Sequence, residues 1–222
     1  MKKNNQTQVK FNMLIATFIS VQIVMTLIPF LGFIPLFTVN ITTLHIPTIL
    51  AGILLGVKGG AIVGLSFGVM SVVNSTLRPG LFAFMFSPFA PAPVGFASNP
   101  AALIVAIIPR VILGILAAWI YSFMKNHNWQ LTISKTKNIK LGAATLAAII
   151  ATFLHTIMVL TLWVVFFRTP LADVLGVDGL NGVLIFISGI ITSNALFEAA
   201  LAGVLMTGFV LALEPIVKKM VG

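Results

Sequence analysis

The stretch from Phe11 to Leu36 constrains this chain more than any other feature. It holds roughly 25 uncharged, mostly apolar residues, enough for a helix to cross a hydrocarbon core about 30 Å thick. It is longer than the apolar core of a signal peptide, and no A-x-A cleavage pattern follows it. A transmembrane helix is therefore expected. Comparable runs follow at 46–77, 100–124, 141–167 and 182–213, the first of them interrupted by Gly56-Val57-Lys58-Gly59-Gly60. That interruption reads as a short helix, a tight turn and a second helix. With 59% hydrophobic and 8% charged residues, a water-soluble core of this size is excluded. At about 20 residues per span, 222 residues hold at most six or seven spans and no soluble domain. The expectation is an all-α integral membrane protein, a single domain over residues 1–222 with six transmembrane helices.

The segment 79–99 is apolar enough to suggest a seventh span, but Pro79, Pro88, Pro91 and Pro93 would break a helix repeatedly. Exposed non-helical backbone does not survive in lipid. An ordered extracellular loop between helices three and four is expected, rich in phenylalanine. The cations agree. With a cytoplasmic N-terminus and six spans, the inner segments hold Lys2, Lys3, Lys10, Lys58, Lys125, Lys135, Lys137, Lys140, Lys218 and Lys219. The outer ones hold Arg78 and Arg168. That bias follows the positive-inside rule and puts both termini in the cytoplasm. The net charge of +9 thus reports topology, and no nucleic-acid partner is expected.

The chemistry available is sparse. There is no cysteine, and the acids are Asp173, Asp178, Glu198 and Glu214. No HExxH or GxxxxGK[ST] occurs, so neither metal nor ATP chemistry is expected, and no cofactor. Gly64-Leu65-Ser66-Phe67-Gly68 matches the G-x-S-x-G pattern, but inside an apolar helix it lacks the elbow that gives the motif meaning. Gly56, Gly60, Gly64 and Gly68 instead recur every four residues, the small-residue stripe of packed membrane helices. The chain is not expected to be an enzyme.

Ionisable groups inside a bilayer are functional candidates by default. Counting about 1.5 Å per residue puts Arg110 roughly 15 Å deep, and His155 and Asn194 roughly 18 Å. Three helices thus bring a cation, an imidazole and an amide to one level. Glu198, one turn from Asn194, is placed to neutralise Arg110, and a purely structural Arg110–Glu198 pair is the competing reading. Asn74 and Arg78 reach the same outer half, and Phe82, Phe84, Phe86 and Phe89 are placed to close over it. His45 stands at the start of helix two. An apolar pocket with few convergent polar groups describes a small-molecule site. On helix one, Ala16 and Ser20 form a small-xxx-small pair suited either to internal packing or to docking of another membrane protein.

Three stretches carry a resemblance to a known family: LHIPTILAGILLGVKGGAIVGLSFGVMSVVNST (44–76), FMFSPF (84–89) and IIPRVILGILAAWIY (107–121). They resemble the substrate-binding S components of energy-coupling factor (ECF) vitamin transporters, over essentially the whole chain. The resemblance implies a bacterial cell-membrane protein that binds a vitamin tightly and hydrolyses no ATP. Energy would come from a separate transmembrane coupling subunit and two ABC-type ATPases, with transport by toppling of the S component in the membrane. Arg110 falls on the family's arginine position in helix four. Ala16 and Ser20 are similar to its A-x-x-x-A docking motif, with serine in the second place. The loop and helix-two wording is most similar to pantothenate-specific members, with the pyridoxine type as runner-up and folate as a further anionic substrate. A cationic vitamin is disfavoured by a pocket led by Arg110. A non-transport membrane scaffold and a secondary transporter acting alone remain open alternatives at this point.

Overall fold

The computed structural model describes residues 2–28, 31–36, 39–127 and 142–221. Lys135, Lys137 and Lys140, counted above in an inner loop, lie outside the described residues. The elements in order are α1 (Lys2–Leu27), β1 (Phe33–Leu36), β2 (Val39–Thr42), α2 (His45–Leu77), a 3-10 turn (Ala83–Met85), α3 (Ala101–Asn126), α4 (Gly142–Leu175), α5 (Gly179–Ile190), a π-helical turn (Ile191–Ala195) and α6 (Leu196–Val221).

Among the described residues, five helical stretches are long and apolar enough to cross a membrane: Gln6–Leu27, His45–Leu77, Ala101–Asn126, Gly142–Leu175 and Gly179–Met220. Within 46–77 the structure shows the short helix, tight turn and second helix that the sequence implies. Gly56 sits at φ 74°, ψ −170°, a conformation that suits glycine and breaks the helix. The chain reverses there, because a Cβ on Gly60 would lie 2.9 Å from the Cα of Gly52. In a straight helix residues eight apart are about 12 Å from each other. The two arms, 45–55 and 57–77, therefore lie side by side. The first arm is about 16 Å long, half a hydrocarbon core.

A correction concerns 28–36, expected to continue helix one. The helix stops at Leu27, two residues before Pro29, which disfavours helix in the residue preceding it. The strands Phe33–Leu36 and Val39–Thr42 pair antiparallel as a two-stranded hairpin, with Phe33 opposite Thr42 and Leu36 opposite Val39. The all-helical expectation holds for the spans but not for this ribbon. Its last residue is clamped from two sides: Thr42 N–H donates to the Glu198 carboxylate at 2.9 Å, and His45 Nδ1 pairs with the Thr42 carbonyl. Arg78 adds a further tie, donating to the carbonyls of Thr26 and Leu27 at 3.3 and 3.0 Å. Those are carbonyls that the end of α1 leaves unpaired.

The glycine stripe packs helices together, as the spacing implies, except that Gly56 belongs to the reversal. Added Cβ atoms at Gly60, Gly64 and Gly68 would lie 2.3 Å from Gly114 O, 2.3 Å from Arg110 O and 2.9 Å from the Cα of Ile107. The 57–77 arm and α3 thus run antiparallel with backbones in contact. Ser66 lies within this helix, so no nucleophile elbow exists around it.

The 79–99 segment forms an ordered cap. Phe82, Phe84, Met85 and Ala90 are buried, and Ser87 hydroxyl bonds Thr76 at 2.7 Å. At its end Asn99 accepts from Ala101 N–H and donates to Phe166 O at 3.5 Å. The apolar interior is in two main parts. One gathers Phe67, Leu113, Ala117, Ala147, Ala151, Ala202 and Met206; the other gathers Phe82, Phe84, Val105, Val159, Trp163 and Ile190. Along α3, α4 and the last helices, Arg110, His155, Asn194 and Glu198 each fall between members of these two clusters.

Two outcomes follow. Gly114→Val should lower the melting temperature sharply in detergent, since the neighbour to be displaced is backbone; the loss should exceed the 1–3 kcal/mol typical of overpacking. A melting point within a degree of the parent would contradict the contact. Glu198→Gln keeps an acceptor for Thr42 and should be nearly as stable as the parent, whereas Glu198→Ala should cost about 2 kcal/mol.

Candidate binding cavity

Proline 109 sets up the centre of the site. Lacking an N–H, it leaves the carbonyl four residues back, that of Val105, without its helical partner. Arg110 takes that carbonyl through Nη1 at 2.7 Å. The side chain is thereby drawn back along α3 rather than out toward lipid, and it is 3% exposed. Its guanidinium carbon lies 4.9 Å from the Phe86 ring centre and 5.4 Å from that of Phe67. Arg110 Nε has no hydrogen-bond partner among the described residues.

Two lobes meet at Arg110. The larger, about 110 Å³, is bordered by Ser71, Asn74, Ser75, Arg78 and Trp163. The smaller, about 60 Å³, is bordered by His155, Thr156, Trp163, Asn194 and Glu198. Both share Thr42, Phe86, Arg110 and Trp163, so they form one cavity between the two apolar clusters, with a few polar groups on mostly apolar walls. His155 is buried beside Phe67, ring centres 6.1 Å apart, and neither ring nitrogen has a partner in the protein. Asn194 sits on the π-helical turn, where its Oδ1 accepts from the Ser193 hydroxyl at 3.1 Å. An extra residue per turn shifts the face a helix presents, and such turns often mark functional positions.

Arg110, His155, Asn194, Asn74 and Phe86 therefore come together on one cavity. His45 and Phe84 do not border it. His45 holds the hairpin instead, and Phe84 packs edge-on to Phe167 at 5.9 Å, beside a separate cavity of about 150 Å³ under the cap. No ion pair joins Arg110 to Glu198 among the described residues; the pairs found are Lys125–Glu214 and Lys218–Glu214. Ala16 and Ser20 lie exposed on α1, with the Ser20 hydroxyl turned back onto the Ala16 carbonyl at 2.8 Å. The sequence reading missed Ser71 and Trp163. Both signals were present: Ser71 is one turn before Asn74, and Trp163 is two turns after His155. Gln22, read only as polarity on helix one, is fully buried and donates to Thr48 at 2.9 Å.

The cavity presents the Arg110 and Arg78 guanidiniums, the Glu198 carboxylate, the His155 imidazole and a few amide and hydroxyl groups, the pattern of a small-molecule binding site. Comparison with known proteins agrees. Residues 10–210 match the family described as "ECF transporter, substrate-specific component". The chain is 33% identical over 214 residues to the "Pantothenic acid transporter PanT" of Lactococcus lactis subsp. cremoris, covering 96% of each chain. It is 26% identical over 223 residues to the "Pantothenate transporter PanT" of Leuconostoc mesenteroides, covering 97% of each. This multi-pass membrane protein belongs to the substrate-specific components of ECF transporters, a family of transporter subunits and not of enzymes.

Proposed function

We propose that the chain is the high-affinity binding subunit for uptake of pantothenate across a bacterial cell membrane, with the vitamin's carboxylate on Arg110. The observation that carries the assignment is a buried guanidinium at the junction of two lobes, with no carboxylate in ion-pair contact among the described residues. The names of both relatives support the substrate. His155 and Asn194 complete the carboxylate's hydrogen bonds, and Asn74 serves the rest of the molecule. A separate transmembrane coupling subunit and two ABC-type ATPases supply the energy. The 45–55 arm and the hairpin beyond it together make one crossing. This gives six crossings, both termini in the cytoplasm and the 79–99 cap outside, in keeping with the lysine bias.

Pantothenate binding to the purified chain, measured by calorimetry beside pyridoxine and folate, tests the substrate. Stabilisation by none of them would favour a scaffold. Losing a buried charge-assisted contact typically costs 2–5 kcal/mol, so Arg110→Ala should weaken pantothenate binding by roughly 30-fold or more. Arg110→Lys should recover only part, because an ammonium cannot reproduce the planar fork. Adding Glu198→Ala to Arg110→Ala should not restore binding; a double variant that binds like the parent would refute the carboxylate site.

Ala16 and Ser20 form the docking face for the coupling subunit, as two small exposed side chains permit close backbone approach. Replacing both with tryptophan should abolish uptake in cells while leaving vitamin affinity of the isolated chain unchanged. Uptake at the parental rate would move the docking face elsewhere.

A further inference from the structure

Trp163 is 1% exposed, borders both lobes of the cavity, and its indole Nε1 has no hydrogen-bond partner among the described residues. Native proteins rarely leave a buried N–H unpaired, because the group has given up water for nothing. The ring is not loose: it packs against Phe82 and Phe86 of the cap at 5.6 and 5.5 Å. Nor is the unpaired group isolated. Thr152, His155 and Trp163 project from one side of α4, and each carries an unpaired polar atom. From His155 to Trp163 the helix rises about 12 Å, the reach of a small extended molecule. Ser71, on the other wall of the larger lobe, is 2% exposed with its hydroxyl also unpaired.

We propose that Trp163 is a specificity-determining residue whose indole N–H donates to an uncharged oxygen of the bound molecule, an amide carbonyl or a hydroxyl, in the part that follows the carboxylate arm. An indole nitrogen is a donor only, so it accepts no ammonium, amine or other donor in that place. Ser71, able to donate or accept, is the partner suited to a hydroxyl. The inference rests on the carboxylate reading above, since Arg110 fixes which end of the ligand lies near Trp163. Pantothenate supplies an amide carbonyl and two hydroxyls beyond its carboxylate arm, while β-alanine is that arm alone.

The full chain in detergent, titrated with pantothenate, separates the two ideas. Trp163→Phe keeps an aromatic wedge and removes the donor, so it should weaken binding about tenfold with the melting temperature little changed. Parental affinity in Trp163→Phe, with Arg110→Ala still defective, would overturn the Trp163 assignment and leave the carboxylate site standing. No pantothenate binding by the parent would instead sink the carboxylate reading. A second measurement keeps Trp163 in place. The chain has three tryptophans, so ¹⁵N-indole labelling in a Trp119→Phe, Trp129→Phe background leaves one resonance. Saturating pantothenate should move it downfield and slow its exchange with water, and β-alanine should do neither. A resonance that pantothenate leaves in place would overturn the proposal even if Trp163→Phe does not fold.

Discussion

The backbone contact between α3 and the 57–77 arm is the constraint on which the rest of the molecule depends. In lipid there is no hydrophobic gain from pairing helices, so association relies on dispersion at close range. Glycines at 60, 64, 68 and 114 bring the two backbones so near that a Cβ on Gly114 would fall 2.0 Å from Gly60 O. That contact fixes register as well as distance. Gly64 meets the carbonyl of Arg110, and the same arm then delivers Phe67 over the guanidinium and Ser71 and Asn74 to the larger lobe. A shift of one residue along the stripe would carry the aromatic and polar groups past the arginine.

The second organising rule is that every backbone polar group at membrane depth needs a partner from the protein. Pro109 and Pro170 each free a carbonyl four residues earlier, at Val105 and Phe166. Arg110 takes the first and Asn99 the second, so two residues that interrupt helices also anchor the site and the cap. The hairpin follows the same logic. Its terminal residue Thr42 is admitted to the interior with its N–H on Glu198 and its carbonyl against His45. One Glu198 oxygen thus accepts from the ribbon, while Arg110 makes no ion pair with it among the described residues.

Much of this was legible in the sequence, and the failures share one cause. Apolar content located the spans, and helical rise placed Arg110, His155 and Asn194 at one level, where they border one cavity. Hydropathy reports transfer out of water, however, and is silent on whether the backbone pairs within a helix. Residues 28–36 are as apolar as the helix before them, so the hairpin was read as its continuation, although Pro29 and the β-branched Val39 and Ile41 pointed the other way. Gly56 was counted with the packing stripe because its spacing fits, while its positive φ belongs to the reversal. The π-helical turn under Asn194 has no sequence signature in composition or period, and Trp163 was passed over as an ordinary apolar residue of a span.

Arg110 shows how these constraints combine into selectivity. One of its N–H groups is committed to Val105 O, and two phenyl rings lie over the guanidinium. The guanidinium N–H groups that remain are donors a carboxylate can take with two parallel hydrogen bonds. One of those rings comes from the helix arm and stays in place, but Phe86 belongs to the cap. The loop that sets Phe86 beside the guanidinium also helps keep water from it, and the low local dielectric strengthens a charge pair made there.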